Sequence, residues 1–263
     1  MKITKYLLAL TLCATTLSCT SDNDEGIANE KGNITLKFDN GVGDQDFAFE
    51  TTFTKSNNES FELSTLKYIV SNISLEDNDG NIYEYPTEEN VFIIDEADGN
   101  NAGEIFVTLS NVDAASYTSI SFGIGIDQNR FALGAEGQGD FLAAAQEKGM
   151  MWAWATGYKF IRIDGTYSST NNTDEALNIH MGSVGTTLDN YREVTLSLPN
   201  SVKVSTSTNP EIHIKADIAK VFDGDTSLSF ENGFDQVHTD ANETPIVAQN
   251  ISGMFMVHHV HNN

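Results

Sequence analysis

Cysteine is nearly missing from this chain. Its 263 residues contain two, Cys13 and Cys19, both close to the N-terminus. If Cys13 leaves with a leader and Cys19 carries a lipid, no disulfide is left and the fold depends on its apolar core. Basic residues are scarce too: 14 Lys and Arg face 38 Asp and Glu, a formal charge of −24. Such a surface repels phosphate backbones, which excludes nucleic acid as a partner, and it attracts cations. Enzyme signatures are missing: there is no Gly-x-Ser-x-Gly elbow, P-loop, His-Glu-x-x-His or Cys-x-x-Cys. The expectation is a non-enzymatic protein, since carboxylate pairs on so acidic a surface neither support nor exclude glycosidase chemistry. No internal repeat is present, which disfavours a solenoid or propeller.

The longest apolar run near the start, Tyr6 to Leu12, is too short to span a bilayer. Preceded by Lys2 and Lys5, it reads as the core of a signal peptide. Thr16-Leu17-Ser18-Cys19 then resembles a bacterial lipobox with Cys19 as the lipidated residue; the other reading is an ordinary leader with an incidental cysteine. Residues 1–18 are therefore expected to be a lipoprotein signal peptide and 19–32 an acidic flexible tether. The run Thr20-Ser21-Asp22-Asn23-Asp24-Glu25-Gly26 looks like the export signal of surface lipoproteins in Bacteroidetes-type bacteria. The expected location is the outer membrane, exposed at the cell surface or facing the periplasm. Residues 33–263 are expected to form a single domain.

From Asn33 on, apolar and polar residues alternate in short runs, the mark of half-buried strands. Ile34–Asp39, Phe47–Phe53, Leu66–Leu75, Ile82–Tyr85, Val91–Ile94, Glu104–Leu109, Tyr117–Ile126, Tyr158–Asp164, Glu193–Leu198 and Glu211–Ile218 read this way. About ten strands with turn signals between them predict an all-β fold, an antiparallel β-sandwich. One excursion breaks the series between Asp127 and Gly149. It contains one helical piece, Asp140–Lys148, capped by Asp140 and ended by Gly149. Gly123 and Gly125 share a strand face and predict close approach of a bulky neighbour, with a tryptophan as one candidate.

The excursion leads into Met150-Met151-Trp152-Ala153-Trp154-Ala155-Thr156-Gly157-Tyr158-Lys159-Phe160, which holds both tryptophans of the chain. As a strand it would put Trp152 and Trp154 on one face and Met151 on the other. Buried, these rings are core; exposed beside Tyr158, they would make a stacking platform for a glycan.

The histidines point to a metal. His180 stands at the end of a strand, and His258, His259 and His261 follow Met254 and Met256. Histidine and methionine together suit copper, particularly Cu(I); the plain reading is a terminal tail that binds metals adventitiously. His213 shares its face with Glu211 and Lys215, which predicts a solvent-facing side chain. Asp77-Asn78-Asp79-Gly80 and Asp95–Gly99 read as turns, with a surface Ca²⁺ site as the lesser reading, since glycine comes too early for an EF-hand.

In order along the chain stand Tyr68–Ile73, Gly123–Asp127, Met151–Phe160 and Ile179-His180-Met181-Gly182-Ser183. Together they resemble the MbnP-like family of bacterial copper-binding proteins, with Trp-x-Trp-x-x-Gly-Tyr as the most specific element. The resemblance implies a secreted β-rich domain that holds copper through histidines and a tryptophan oxidised to kynurenine, with a dihaem peroxidase as the oxidising partner. It makes Trp152 the candidate for oxidation, Trp154 the second, and His180 the match to a His-x-Gly position. One departure stands out: the resemblance implies a histidine two residues after the oxidised tryptophan, and Trp154 is there. A site would then recruit His180, His213 or the C-terminal cluster. The expected function is a lipoprotein binding copper for acquisition, storage or handling, with an adhesion or glycan-binding sandwich as the alternative.

Overall fold

The structure, a computed structural model, describes residues 30–100 and 102–263. Cys19, the leader and nearly all of the tether lie outside that range.

Strand alternation organises the first half. In β1 (Lys31–Val42) every second residue from Ile34 to Val42 is buried, so Ile34, Leu36 and Phe38 face inward. The strand opens at Lys31, inside the expected tether. After β2 (Gln45–Asp46) the expected strand Phe47–Phe53 does not form; only β3 (Phe53–Thr54) pairs. Its phenylalanines serve the core all the same, Phe47 stacking on Phe53 at 5.8 Å. The next strand, β4 (Ser60–Asp77), is far longer than the Leu66–Leu75 run predicts. It pairs with β3, β5 (Ile82–Glu84) and β6 (Val91–Asp95), and its register slips around Asn72, a residue at φ +50°. Two further strands, β7 (Glu104–Asp113) and β8 (Ser116–Ile124), complete this half.

The excursion contains α1 (Gln128–Ala132) and α2 (Asp140–Glu147). Asp140 is the first residue of α2, and its side chain makes no capping hydrogen bond; Gly149, at φ +68°, turns the chain after the helix. The second half runs through β9 (Ile161–Ser168), β10 (Glu175–Met181), β11 (Arg192–Lys203) and β12 (Glu211–Asp217). Then come α3 (Ala219–Asp223), β13 (Gln236–Val237), α4 (Thr244–Ser252) and β14 (Phe255–His261). The sequence reading missed α4, whose Val247, Ala248 and Ile251 pack into the core.

Among the described residues the strands form two sheets. In one the order is β14-β12-β1-β2, with β7 also paired to β1; in the other it is β11-β8-β4-β9-β10-β13, with β3, β5 and β6 on β4. The fold is all-β and sandwich-like. Pairing is antiparallel except for β1 with β12 and β10 with β13. Phe38 of β1 and Phe255 of β14 meet Tyr68 of β4 and Phe122 of β8 edge-on, at 5.1 to 6.4 Å between ring centres. These contacts tie the inner faces of the sheets together. The polar residues of β12 and β14 therefore lie on the outer face of the smaller sheet.

The glycine-bearing strand face is filled, but not by tryptophan. The ring of Tyr191 covers Gly123 and that of Phe160 covers Gly125, which sits at φ +96°. A side chain at either position would overlap the ring.

Candidate metal centre

Glu211, His213 and Lys215 alternate with Ile212, Ile214 and Ala216 along β12, and the second set is buried. His213 thus stands on the outer face, as the pattern predicts. It is nevertheless only 5% exposed, because its neighbours cover it. On one side β1 brings Lys37 beside it, and on the other β14 brings His259. The expectation of a solvent-facing His213 is corrected by this lateral cover.

A bulge in β14 builds the rest of the cluster. Ile214 pairs with Val257, but the next pair is His213 with His259, so His258 is an extra residue. In a regular strand His258 and His259 would point to opposite faces. The bulge lets both join His213, while Val257 and Val260 keep their pairing with Ile214 and Ile212. His261 pairs with Glu211 one step further along. His259 is the hub, its ring centre 4.6 Å from His213, 4.7 Å from His258 and 4.5 Å from His261. The donor atoms of His213, His258 and His259 lie within 4.8 Å of one another.

The hydrogen bonds run one way. His213 Nε2 is 2.8 Å from Asp39 Oδ2, so that nitrogen carries the proton and Nδ1 keeps its lone pair. His213 Nδ1 lies 3.4 Å from His259 Nε2, and His259 Nδ1 lies 2.9 Å from His258 Nδ1. His258 can therefore donate to His259, His259 to His213, and His213 to Asp39, with every ring neutral. Burial pushes the His213 pKa below its usual value, aided by the charge of Lys37 and by His258 when it is protonated, and opposed by Asp39. The His259 pKa is lowered by burial and by the surrounding imidazoles. Neutral imidazole is the ligating form. Met256 shares the outward face of β14 and is 56% exposed, whereas Met254 is buried.

His180 lies elsewhere. It projects from β10 opposite Arg162, with Nε2 2.6 Å from Asp164 Oδ1 and its ring 5.1 Å from His238. Burial alone would raise the Asp164 pKa. The hydrogen bond and charge of His180, with Arg162, instead bring it to about 2. His238 escaped the sequence reading because no local pattern marks it; the short pairing of β13 with β10 carries it there. So the histidines divide into two groups, with His213, His258, His259 and His261 in one and His180 and His238 in the other.

The tryptophan segment is a loop, not a strand. Trp152 N–H donates to Gly157 O, Thr156 and Gly157 donate to Ala153 O, and Met151 bridges to Tyr158. The two rings consequently part. Trp154 stacks on Phe131 at 5.0 Å and meets Tyr158 edge-on, while Trp152 lies beside Gly182 with Lys159 Nζ 5.9 Å from its ring. Gly182 follows His180 by two residues along the chain. Both tryptophans and Met151 are half-buried, and Tyr158 is buried. Among the turn carboxylates considered for Ca²⁺, Asp77 accepts from Asp79, Asn81 and the Asn81 side chain, and Asp95 pairs with Lys67 and Lys148.

Fold and site together define a β-sandwich protein with an imidazole cluster on the outer face of its smaller sheet. The chain belongs to the MbnP family, whose model matches residues 31–242. It is also similar in structure to MbnP from Methylosinus trichosporium, at 12% identity and a TM-score of 0.47, covering 89% of this chain and 99% of that one. No curated protein sequence matches it. His213 falls inside the family-matched span, while His258, His259 and His261 lie beyond it.

Proposed function

We propose that this protein is a non-enzymatic copper-binding lipoprotein. Copper is its cargo, held by His213, His258 and His259, and Cys19 anchors the chain in the outer membrane through a lipid. The observation that carries the reading is the convergence of three imidazoles, one of them fixed by Asp39. A carboxylate behind a ligating histidine sets its tautomer and raises its basicity, an arrangement recurrent in metal sites. Nitrogen-rich donors suit copper better than magnesium or calcium. The acidic surface raises the local concentration of cations.

Trp152 is the proposed place of the oxidation that family membership implies, because its ring lies beside Gly182, two residues after His180, while Trp154 is packed between Phe131 and Tyr158. The dihaem peroxidase partner is proposed on the same basis. A glycan platform loses support, since Tyr158 is buried.

Competition titration of the full chain with Cu(I) and Cu(II) against a chromophoric chelator tests the copper reading. The wild type is expected to retain copper and His213→Ala to release it. Failure of the wild type to retain either oxidation state would end the proposal.

A further inference from the structure

The cluster contains two overlapping triads. Beside His213, His258 and His259 stand Glu211, His259 and His261, whose donor atoms also lie within 4.8 Å of one another. His259 belongs to both. The pairs His213–His259 and Glu211–His261 are successive cross-strand pairs on one face, about 7 Å apart along the strands. They form a row that begins at the exposed end of β14 and ends at His213.

The triads differ in depth and in chemistry. Each triad has one exposed histidine, His261 in the outer and His258 in the inner; Glu211 is half-buried, whereas His213 is nearly closed off. The outer triad includes a carboxylate, which brings negative charge and a hard oxygen donor. The inner one is all imidazole and neutral, so it holds a borderline or soft ion more selectively. Glu211 is only loosely engaged: Lys37 Nζ lies 3.7 Å from it and closer to Glu104, at 2.8 Å.

The buried His213 poses a kinetic difficulty, because an ion must shed its water before it reaches that imidazole behind its neighbours. A shared ligand lowers that barrier. An ion held by Glu211, His259 and His261 can exchange Glu211 and His261 for His213 and His258 while His259 keeps hold, and so is never left bare. We propose that Glu211, His259 and His261 form the receiving position of a two-position path that loads and unloads the inner triad with copper. This rests on the copper reading of the inner triad and assigns the outer residues a kinetic role.

The test separates rates from affinity. Stopped-flow mixing of the full chain with Cu(II), and of the loaded chain with excess chelator, gives loading and release. Competition titration gives Kd, and circular dichroism checks the fold of each variant. Glu211→Gln and His261→Ala are expected to slow loading and release alike, by about tenfold, with Kd within about twofold of wild type. His213→Ala is expected to weaken Kd while loading stays fast. Unchanged rates in both outer variants would overturn the inference. So would a loss of affinity as large as that of His213→Ala, which would mean one composite site, or two copper ions bound at saturation, which would mean independent sites. If the wild type takes up no copper at all, the underlying reading fails with it.

Discussion

Asp39 and His213 act as one unit, and neither is informative without the other. In the sequence Asp39 is one of 38 acidic residues and carries no mark. Its role comes from the 2.8 Å contact that fixes the His213 tautomer. Asp39→Ala is therefore expected to weaken copper retention by about tenfold to a hundredfold with little change in fold, as removing a second ligand shell usually does. Competition titration beside circular dichroism checks this; unaltered retention would show that Asp39 does not orient the ligand. At this scale the face of His213 was legible from its alternation with Ile212 and Ile214. Its burial was not, because the residues that cover it come from other strands. Nothing local marked His238 either, whose pairing with His180 depends on β13.

At the scale of elements, the bulge in β14 is the device that makes a cluster out of a histidine-rich strand. Strict alternation would give His258 and His259 opposite faces and break up the inner triad. Deleting His258 is expected to remove the extra residue and keep the pairs Ile214–Val257, His213–His259 and Glu211–His261. The prediction is a wild-type-like far-UV spectrum with copper affinity at least about tenfold weaker. A variant that keeps wild-type affinity would show that the bulged histidine is not a ligand. The tryptophan segment teaches the same lesson in reverse. Its residue types read as a strand, but the turn over Ala153–Gly157 closes a loop and sends Trp152 and Trp154 to different neighbours. Strand propensity lost to turn hydrogen bonds and to the stacking of Trp154 on Phe131.

Over the whole molecule, two buried carboxylates give the stability curve opposite slopes. Burial pushes the Glu96 pKa up from 4.5 to about 7, helped by Asp39 and Asp95 and opposed by a hydrogen bond from Asn40. Between those values the folded chain keeps a proton that the unfolded chain has lost, so stability falls as pH rises, by about 3 kcal/mol over the window. Glu59 behaves the other way. Burial alone would raise its pKa, but hydrogen bonds from Lys55, Asn57 and the Phe230 and Glu231 amides bring it down to about 2. Below 4.5 the unfolded chain takes up a proton before the folded one does, so stability falls as pH drops toward about 2. Thermal melts are expected to show Glu96→Gln losing the decline that wild type displays between about pH 4.5 and about pH 7. A decline of equal size in the variant would assign it to other groups.

The sequence by itself determined what depends on neighbours along the chain. Alternation set which side of each strand meets the core, and hence the all-β sandwich. The run Phe255–His261 put three imidazoles close together in the chain, and the excess of carboxylates set a cation-attracting surface. The tertiary structure decided which strands lie side by side. His259 reaches His213 across 46 residues of sequence, and Asp39 reaches it across 174. Such pairings arise from sheet topology and register, which balance the entropy of closing long loops against burial of both faces, and no short window of residues encodes that balance.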